Sequence, residues 1–332
     1  MIFVTGGTGF LGRHLIPVLC RAGLPVRVLT RQPEAHPWLK RYPSVEVAVG
    51  DLRDRDSLVR ALDGCDTLIH AGGLFRFWGD AQHFDETNAL GTENVMSAAA
   101  AAGIRKAVHV SSIAVIGLPD PTHIIDETYP PNPVDPYQHS KLHSENIALA
   151  VYRAQGLPVV VVRPGAFYGP MGEYGFNRLF FKDPMRGIIM QMDGGRYIIF
   201  PAYIGDVARG LLLALEHGRP GEIYNICGDC LSHYEVYTQV MRAANLHYPR
   251  LNLPGWMGTN FARLLEAVAG ITGQEPFYPI NLYSYVYNNW RVSIEKARRE
   301  LQFEPTPFDE GARRTVAWYR ARKPDHIPEL DC

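Results

Sequence analysis

Thr5-Gly6-Gly7-Thr8-Gly9-Phe10-Leu11-Gly12 is the stretch that decides the fold. It starts where the apolar run Ile2–Thr5 ends and opens into a helix-length segment, Leu11–Ala22. Gly6 permits a tight turn off a strand, Gly9 lets the backbone approach a pyrophosphate, and Gly12 lets the helix pack close to the strand. Thr8, Gly9, Phe10 and Leu11 then fall at the helix N-terminus, where free N–H groups and the helix dipole favour an anion. Glycine spacing alone is common. The strand before it and the helix after it make it specific.

Working outward, short β-branched runs alternate with helix-length segments. Val26–Thr30, Val45–Val49, Thr67–His70, Ala107–Ser111 and Val159–Val162 read as strands buried on both faces. Ser57–Leu62, Phe84–Ala102 and Tyr137–Ala154 read as helices, the second ending in a run of alanine that favours helix. This alternation predicts an α/β fold, a doubly wound parallel sheet of the Rossmann kind. Beyond about Pro170 the character changes, with more proline and aromatic residues. Residues 1–170 are expected to form the dinucleotide-binding domain, and 171–332 mainly a smaller C-terminal substrate lobe. Ile223–Ile226 reads as a strand, Tyr203–Leu215 and Asp309–Tyr319 as helices, and some of these segments are expected to return to the sheet.

Composition narrows the class. The 332 residues are 46% hydrophobic and 20% charged, with a formal net charge of -1. Those values suit a globular enzyme and give no basic footprint for nucleic acid. No apolar run is long enough to span a bilayer, and the N-terminus lacks the form of a signal peptide. Five cysteines, an odd number, argue against a disulfide framework and for a reducing, cytoplasmic setting. Cys227 and Cys230 have C-x-x-C spacing, but Cys20, Cys65 and Cys332 supply no second pair for zinc, so no metal is expected. The pair reads as a turn after a strand, with a redox role as the alternative.

The end of the second strand bears on the cofactor. An acid there would grip the ribose 2′-hydroxyl of NAD. Here the residues are Leu29-Thr30-Arg31, and Glu34 comes only after Pro33. Arg31 offers a fixed cation for a 2′-phosphate, so NADP(H) is favoured over NAD(H).

Tyr137 and Lys141 lie four residues apart in a predicted helix and so share a face. An ammonium beside a phenol favours the phenolate and would bring its pKa toward a useful range. Such a pair can move a proton at a carbonyl or alcohol oxygen. Ser111 and Ser112 follow a predicted strand at its carboxyl end, where ligands bind in open α/β sheets. A serine hydroxyl there could polarise the reacting oxygen, or simply cap a turn.

Together these residues resemble the extended short-chain dehydrogenase/reductases, within the NAD-dependent epimerase/dehydratase superfamily. The resemblance runs strongly to about Pro170 and more weakly beyond. It implies that Thr5 to Gly12 is the cofactor loop. Asp51 and Leu52 resemble the pair at the adenine, and Ala71, Gly72 and Gly73 the loop after the fourth strand that passes the cofactor. Asn88 begins the stretch Asn88-Ala89-Leu90-Gly91-Thr92-Glu93-Asn94-Val95, which is similar to the family's N-x-x-G-T-x-N-V signature. Ser112, Tyr137 and Lys141 resemble its catalytic residues, and Pro164 and Gly165 its segment beside the nicotinamide. Asp206-Val207-Ala208 resembles a helix start in its substrate lobe. A homodimer through Phe84–Ala102 and Tyr137–Ala154 is also implied.

Branches of the family differ. Dehydratases carry an Asp-Glu pair where this chain has Ile113 and Ala114, which cannot move protons. Epimerases resemble NAD enzymes with an acid where Thr30 stands, and they have an Asn that Arg163-Pro164-Gly165-Ala166-Phe167-Tyr168 lacks. The Arg31 pattern resembles the dihydroflavonol-reductase-like and 3β-hydroxysteroid-dehydrogenase-like branches. The expected function is hydride transfer to or from a carbonyl or alcohol carbon of a small-molecule substrate. A nucleotide-sugar epimerase and a non-catalytic NADP(H)-binding module are the alternatives. Phe75, Phe77 and Trp78 cluster after the fourth strand, and Tyr283, Tyr285 and Tyr287 alternate as on one face of a strand. Either an apolar substrate pocket or ordinary packing between lobes would use them. No nucleic-acid or membrane partner is expected.

Overall fold

The computed structural model describes residues 1–321 and Pro324; Cys332 and the end of the expected substrate lobe lie outside them. Among the described residues, the strands of the main sheet are β1 (Ile2–Thr5), β2 (Val26–Thr30), β3 (Val45–Val49), β4 (Thr67–His70), β5 (Lys106–Val110), β6 (Val159–Pro164) and β7 (Ile223–Ile226). They form one sheet in the order β7-β6-β5-β4-β1-β2-β3, every pairing parallel. The order reverses between β1 and β4, which leaves a crevice at their carboxyl ends.

Valines at positions 159 to 162 are wholly buried, as a strand covered on both faces requires. β3 differs from that expectation. It sits at the sheet edge, and Val47 and Val49 are exposed because only one neighbour and one face cover them.

Helices cover both faces: α1 (Gly12–Arg21), α2 (Arg55–Leu62), α3 (Ala81–Phe84), α4 (Gly91–Ala101) and α5 (Pro136–Gln155). Three of them, α2, α3 and α5, start on an aspartate cap. The Asp54 side chain caps α2 by accepting from the backbone N–H of Asp56 and Ser57. Asp135 caps α5 by accepting from Gln138 N at 2.9 Å, Pro136 follows at the first turn, and Gly156 ends the helix with φ 76°. The expected helix Phe84–Ala102 is one helical run, but Asp85–Leu90 inside it is a π-turn between α3 and α4. Ala98 and Ala99 on α4 and Ala148 on α5 are fully buried in one cluster, so small side chains bring these helices close.

The second half is interleaved with the first. α6 (Ile204–His217) returns to the sheet and buries Val207, Ala208 and Leu211 in the same core as Leu15 and Val28. Beyond it lie α7 (His233–Ala243), α8 (Gly255–Thr272), α9 (Leu282–Val286), α10 (Glu295–Leu301) and α11 (Phe308–Arg320). Small paired strands such as Ala166–Tyr168 with Pro201–Tyr203 tie this lobe together. No described helix is long and apolar enough to cross a membrane.

Tyr283, Tyr285 and Tyr287 correct the strand reading, because they lie on and just after α9. Tyr283 and Tyr287 are four residues apart on one helical face, with rings 5.1 Å apart, while Tyr285 turns inward.

Candidate active site

One elongated cavity of about 880 Å³ lies over the β1–β4 crevice. It runs from Arg31, Asp51 and Arg53 at one end, past the glycine loop, to Ser112, Tyr137 and Lys141, and on to an aromatic chamber.

The glycine loop forms its floor. Gly6 has φ 72°, and a Cβ there would lie 2.5 Å from the Ala71 carbonyl carbon, so only glycine fits. Gly12 answers a different need, since a Cβ on it would lie 2.2 Å from the carbonyl carbon of Gly7. It therefore stands behind the cavity wall, whereas Gly6, Thr8, Gly9, Phe10 and Leu11 line it. Ala71, Gly72 and Gly73 form the facing wall, and Gly72 N donates to Thr5 Oγ1 at 3.1 Å.

Asn88 also stands behind the wall, beside the loop that lines it. It is buried, and its amide holds the loop after β4: Leu74 N donates to Asn88 Oδ1 at 2.7 Å, and Asn88 Nδ2 donates to Leu74 O at 3.0 Å and Ser140 Oγ at 2.9 Å. Asn94 Nδ2 donates to Leu52 O at 3.1 Å and holds the loop after β3 in the same manner. The N-x-x-G-T-x-N-V stretch is thus a brace for two cavity loops.

At the Arg31 end of the cavity, Asp51 is flanked by two guanidinium groups. Arg53 Nη2 lies 3.1 Å from Asp51 Oδ2, and the more exposed Arg31 Nη1 lies 3.9 Å from it. The Arg53 hydrogen bond, the largest influence, holds the Asp51 carboxyl below its usual pKa, and the charge of Arg31 acts the same way. Arg53 was not singled out in the sequence. Glu34 is absent from the cavity wall.

At the other end, Ser112 follows β5 and caps the turn Ile113–Ile116, accepting from Ala114 N at 3.1 Å. Its hydroxyl lies on the Tyr137 side of the cavity. Burial raises the phenol pKa well above its usual value, the nearby Ser112 hydroxyl opposes that rise, and the Asp135 carboxylate adds to it. The sequence expectation of a phenol lowered by Lys141 is therefore reversed. The Lys141 ammonium is turned to the end of β5, donating to Val110 O at 2.7 Å, and its own pKa is pushed down to about 8 by burial, with Glu145 pulling upward.

Glu145 belongs to a buried brace beneath these residues. Its carboxylate accepts from Ser111 Oγ at 2.7 Å, Arg163 Nε at 2.9 Å and Arg163 Nη2 at 2.6 Å. Pro164 and Gly165, next to that arginine, line the cavity. His70 is buried alongside, bonded to Thr5 Oγ1 at 2.6 Å and Thr92 Oγ1 at 2.9 Å, and burial lowers its pKa to about 3. It is a neutral spacer between β1 and α4.

The chamber above Tyr137 is aromatic. Phe75 packs edge-on to Tyr137 at 4.8 Å and to Phe77 at 5.0 Å. Tyr174 stacks on Phe77 at 5.5 Å, and its hydroxyl accepts from Phe77 N at 3.0 Å and donates to Glu275. Tyr285 closes another side, donating to Asp135 Oδ2 at 2.8 Å. Tyr174 gave no sequence signal, because it reaches Phe77 from 97 residues away. Cys227 and Cys230 follow β7 as expected and lie outside the cavity wall. Among the described residues, no group of three or more His, Cys, Asp or Glu side chains could hold a metal ion.

The sequence model of the NAD dependent epimerase/dehydratase family matches residues 2–227. The chain belongs to that family. It is 36% identical over 307 residues to a 4-hydroxy-2-methyl-3-oxo-4-farnesyl-3,4-dihydroquinoline-1-oxide ketoreductase of Stigmatella aurantiaca, covering 91% of each chain. It is 29% identical over 326 residues to a 3β-hydroxysteroid dehydrogenase/Δ5→4-isomerase of Mycobacterium tuberculosis, covering 92% of this chain and 86% of that one. The solved structure of DesIV, a dTDP-glucose 4,6-dehydratase of Streptomyces venezuelae with NAD bound, superposes with a TM-score of 0.76 at 27% identity, covering 96% and 97% of the two chains. The chain is accordingly an enzyme, an NAD(P)-dependent oxidoreductase of the extended short-chain dehydrogenase/reductase type.

Proposed function

We propose that this enzyme is an NADP(H)-dependent reductase of an apolar, ring-bearing ketone, with the reverse alcohol oxidation available at the same site. Residues 1–170 hold the cofactor, and the lobe from residue 171 supplies most of the substrate chamber. One observation carries the reading: Ser112, Tyr137 and Lys141 line one cavity, and an aromatic chamber begins where Phe75 packs on Tyr137.

The floor suits a dinucleotide, because the glycines leave room for its pyrophosphate against the α1 N-terminus. Gly6, Thr8, Gly9, Phe10 and Leu11 would hold the pyrophosphate, Asp51 and Leu52 the adenine, and Pro164 and Gly165 the nicotinamide side. When bound, the reduced nicotinamide supplies hydride. The protein does the rest. The Tyr137 hydroxyl donates its proton to the carbonyl oxygen, and Ser112 donates a hydrogen bond to the same oxygen. The Lys141 ammonium stabilises the phenolate left behind and binds the nicotinamide ribose.

The substrate class follows from the chamber, whose walls are mainly Phe, Tyr, Leu and Val. Relatives that reduce a farnesylated dihydroquinoline oxide or act on 3β-hydroxysteroids support that class. Arg31, with Arg53 as its neighbour across Asp51, supports a 2′-phosphate ligand and so NADP(H). The thiols of Cys20, Cys65, Cys227 and Cys230 stand outside any disulfide, which fits the cytoplasm. A homodimer through α4 and α5 completes the reading.

Titration with NADPH and NADH by tryptophan fluorescence tests it. A preference for NADPH of about tenfold, or ~1.4 kcal/mol, is expected, and Arg31→Ala should abolish it. Equal binding by the native enzyme would refute the NADP(H) assignment. Cofactor that co-purifies and does not exchange would favour an epimerase instead.

A further inference from the structure

α8 is inverted relative to an ordinary surface helix. Its buried positions are the small residues Gly258, Ala262 and Ala269, while Trp256, Met257, Phe261, Leu264, Val268 and Ile271 face outward. Leu264 is 62% exposed and Ile271 88%. From Met257 the outward residues follow at spacings of four, three, four and three, which keeps them on one side of the helix. Arg263 and Glu266 are its only charged residues. An exposed apolar face of this extent marks an interaction surface.

Two further observations indicate what covers it. The first is position. The turn after α8 borders the mouth of the cavity, where Glu275 accepts from the Tyr174 hydroxyl and Phe277 lies 4.1 Å under the Arg178 guanidinium. The second is charge. Glu266 is engaged internally, accepting from Ile280 N at 3.0 Å, and Glu275 faces Arg76 at 3.8 Å. Arg250 is held by Gln191, Thr238 and the Tyr234 ring, whereas Arg263 on α8 is exposed and its hydrogen-bond partner is the neutral Asn260. The Arg263 charge is thus left for an outside anion.

We propose that α8 docks this enzyme on the surface of an anionic lipid bilayer, lying in the headgroup plane with its apolar face down and the cavity mouth beside it. Such a helix lies on a membrane and does not cross it. Arg263 faces lipid phosphate, and Trp256 sits at the interface, where its ring is favoured. The proposal stands apart from the catalytic assignment, since docking requires no turnover.

Vesicle sedimentation tests the proposal. The full chain is expected to sediment with phosphatidylcholine vesicles containing phosphatidylglycerol, and less as salt rises. Leu264→Glu combined with Ile271→Glu should weaken partitioning by about tenfold or more. Both positions are exposed, so the melting temperature and the NADPH dissociation constant of that variant should match those of the native protein, and this control separates docking from folding and from the cofactor site. Native protein that stays in the supernatant would overturn the proposal, as would a double variant that binds like the native chain. A native dimer that the double variant turns into a monomer, with no vesicle binding by either, would assign the face to a second copy of the chain.

Discussion

Replacing Glu145 with Gln probes the buried brace and the active site together. The carboxylate carries three hydrogen bonds, two of them from Arg163, and both side chains of the pair are 3% exposed. Gln keeps one acceptor oxygen, which can still serve Ser111 and Arg163 Nε. Its NH₂ group then meets Arg163 Nη2, donor against donor, and the arginine charge is left buried without a counter-charge. Breaking a buried pair in this way costs about 3–5 kcal/mol. At ~2 °C per kcal/mol for a chain of this size, the melting temperature should fall by roughly 6–10 °C. A second effect follows from the field at Lys141. Its pKa is about 8, with Glu145 pulling it upward, so removing that charge moves it lower still. The ammonium exists below its pKa, so activity that needs it falls as pH rises through that value. The alkaline limb of kcat/KM should lie near pH 8 in the native enzyme and at lower pH in Glu145→Gln. Thermal denaturation and a pH–rate profile read the two effects separately. A melting temperature lowered by less than about 2 °C, with an unmoved limb, would refute the reasoning. Adding Arg163→Met should recover much of the stability without restoring the limb, because it removes the stranded charge.

Other consequences are simpler. Burial lowers the pKa of His14 and His233 to about 4 and of His70 to about 3. Below pH ~6.5 the unfolded chain takes up protons there that the native chain refuses, so stability should fall as pH drops from 6.5 toward 4, measured as the denaturant midpoint at each pH. A midpoint that is flat over that range would contradict the buried neutral histidines. Gly6→Ala should abolish cofactor binding, because the new methyl meets the Ala71 carbonyl and the loop must shift; titration by fluorescence reads this directly, and unchanged affinity would count against it. Asn88→Ala should weaken cofactor binding without touching the ligand, by freeing the loop at Leu74, and hydrogen exchange at residues 72–74 should rise with it.

The sheet was legible in the sequence because β1, β4, β5 and β6 are buried on both faces and so read as unbroken β-branched runs. β3 was found by the same signal despite its exposed edge position. The glycine loop was legible because its glycines fall at a fixed spacing between a strand and a helix, although the Gly6 requirement comes from Ala71, far off in sequence. Ser112, Tyr137 and Lys141, proposed from local spacing and resemblance, line one cavity. What failed or was missed is long-range. Ser111, Glu145 and Arg163 come from three elements, and nothing near any of them announces the others. Tyr174 and Glu275 meet across 101 residues. The alternating tyrosines at 283, 285 and 287 misled because so short a run fits a strand period and a helix face equally well; packing against the chamber decided for the helix. The outward face of α8 was hidden because apolar residues at helical spacing normally point inward.

The most direct test of the central claim follows the hydride itself. NADPH carrying deuterium at the transferable position is incubated with a panel of polycyclic and prenylated ring ketones, and the products are examined by mass spectrometry. The account predicts an alcohol bearing one deuterium with the native enzyme, and a rate lower by about a hundredfold or more in Tyr137→Phe at an unchanged NADPH dissociation constant. Deuterium transfer by Tyr137→Phe at the native rate, or no transfer to any ring ketone by the native enzyme, would contradict it.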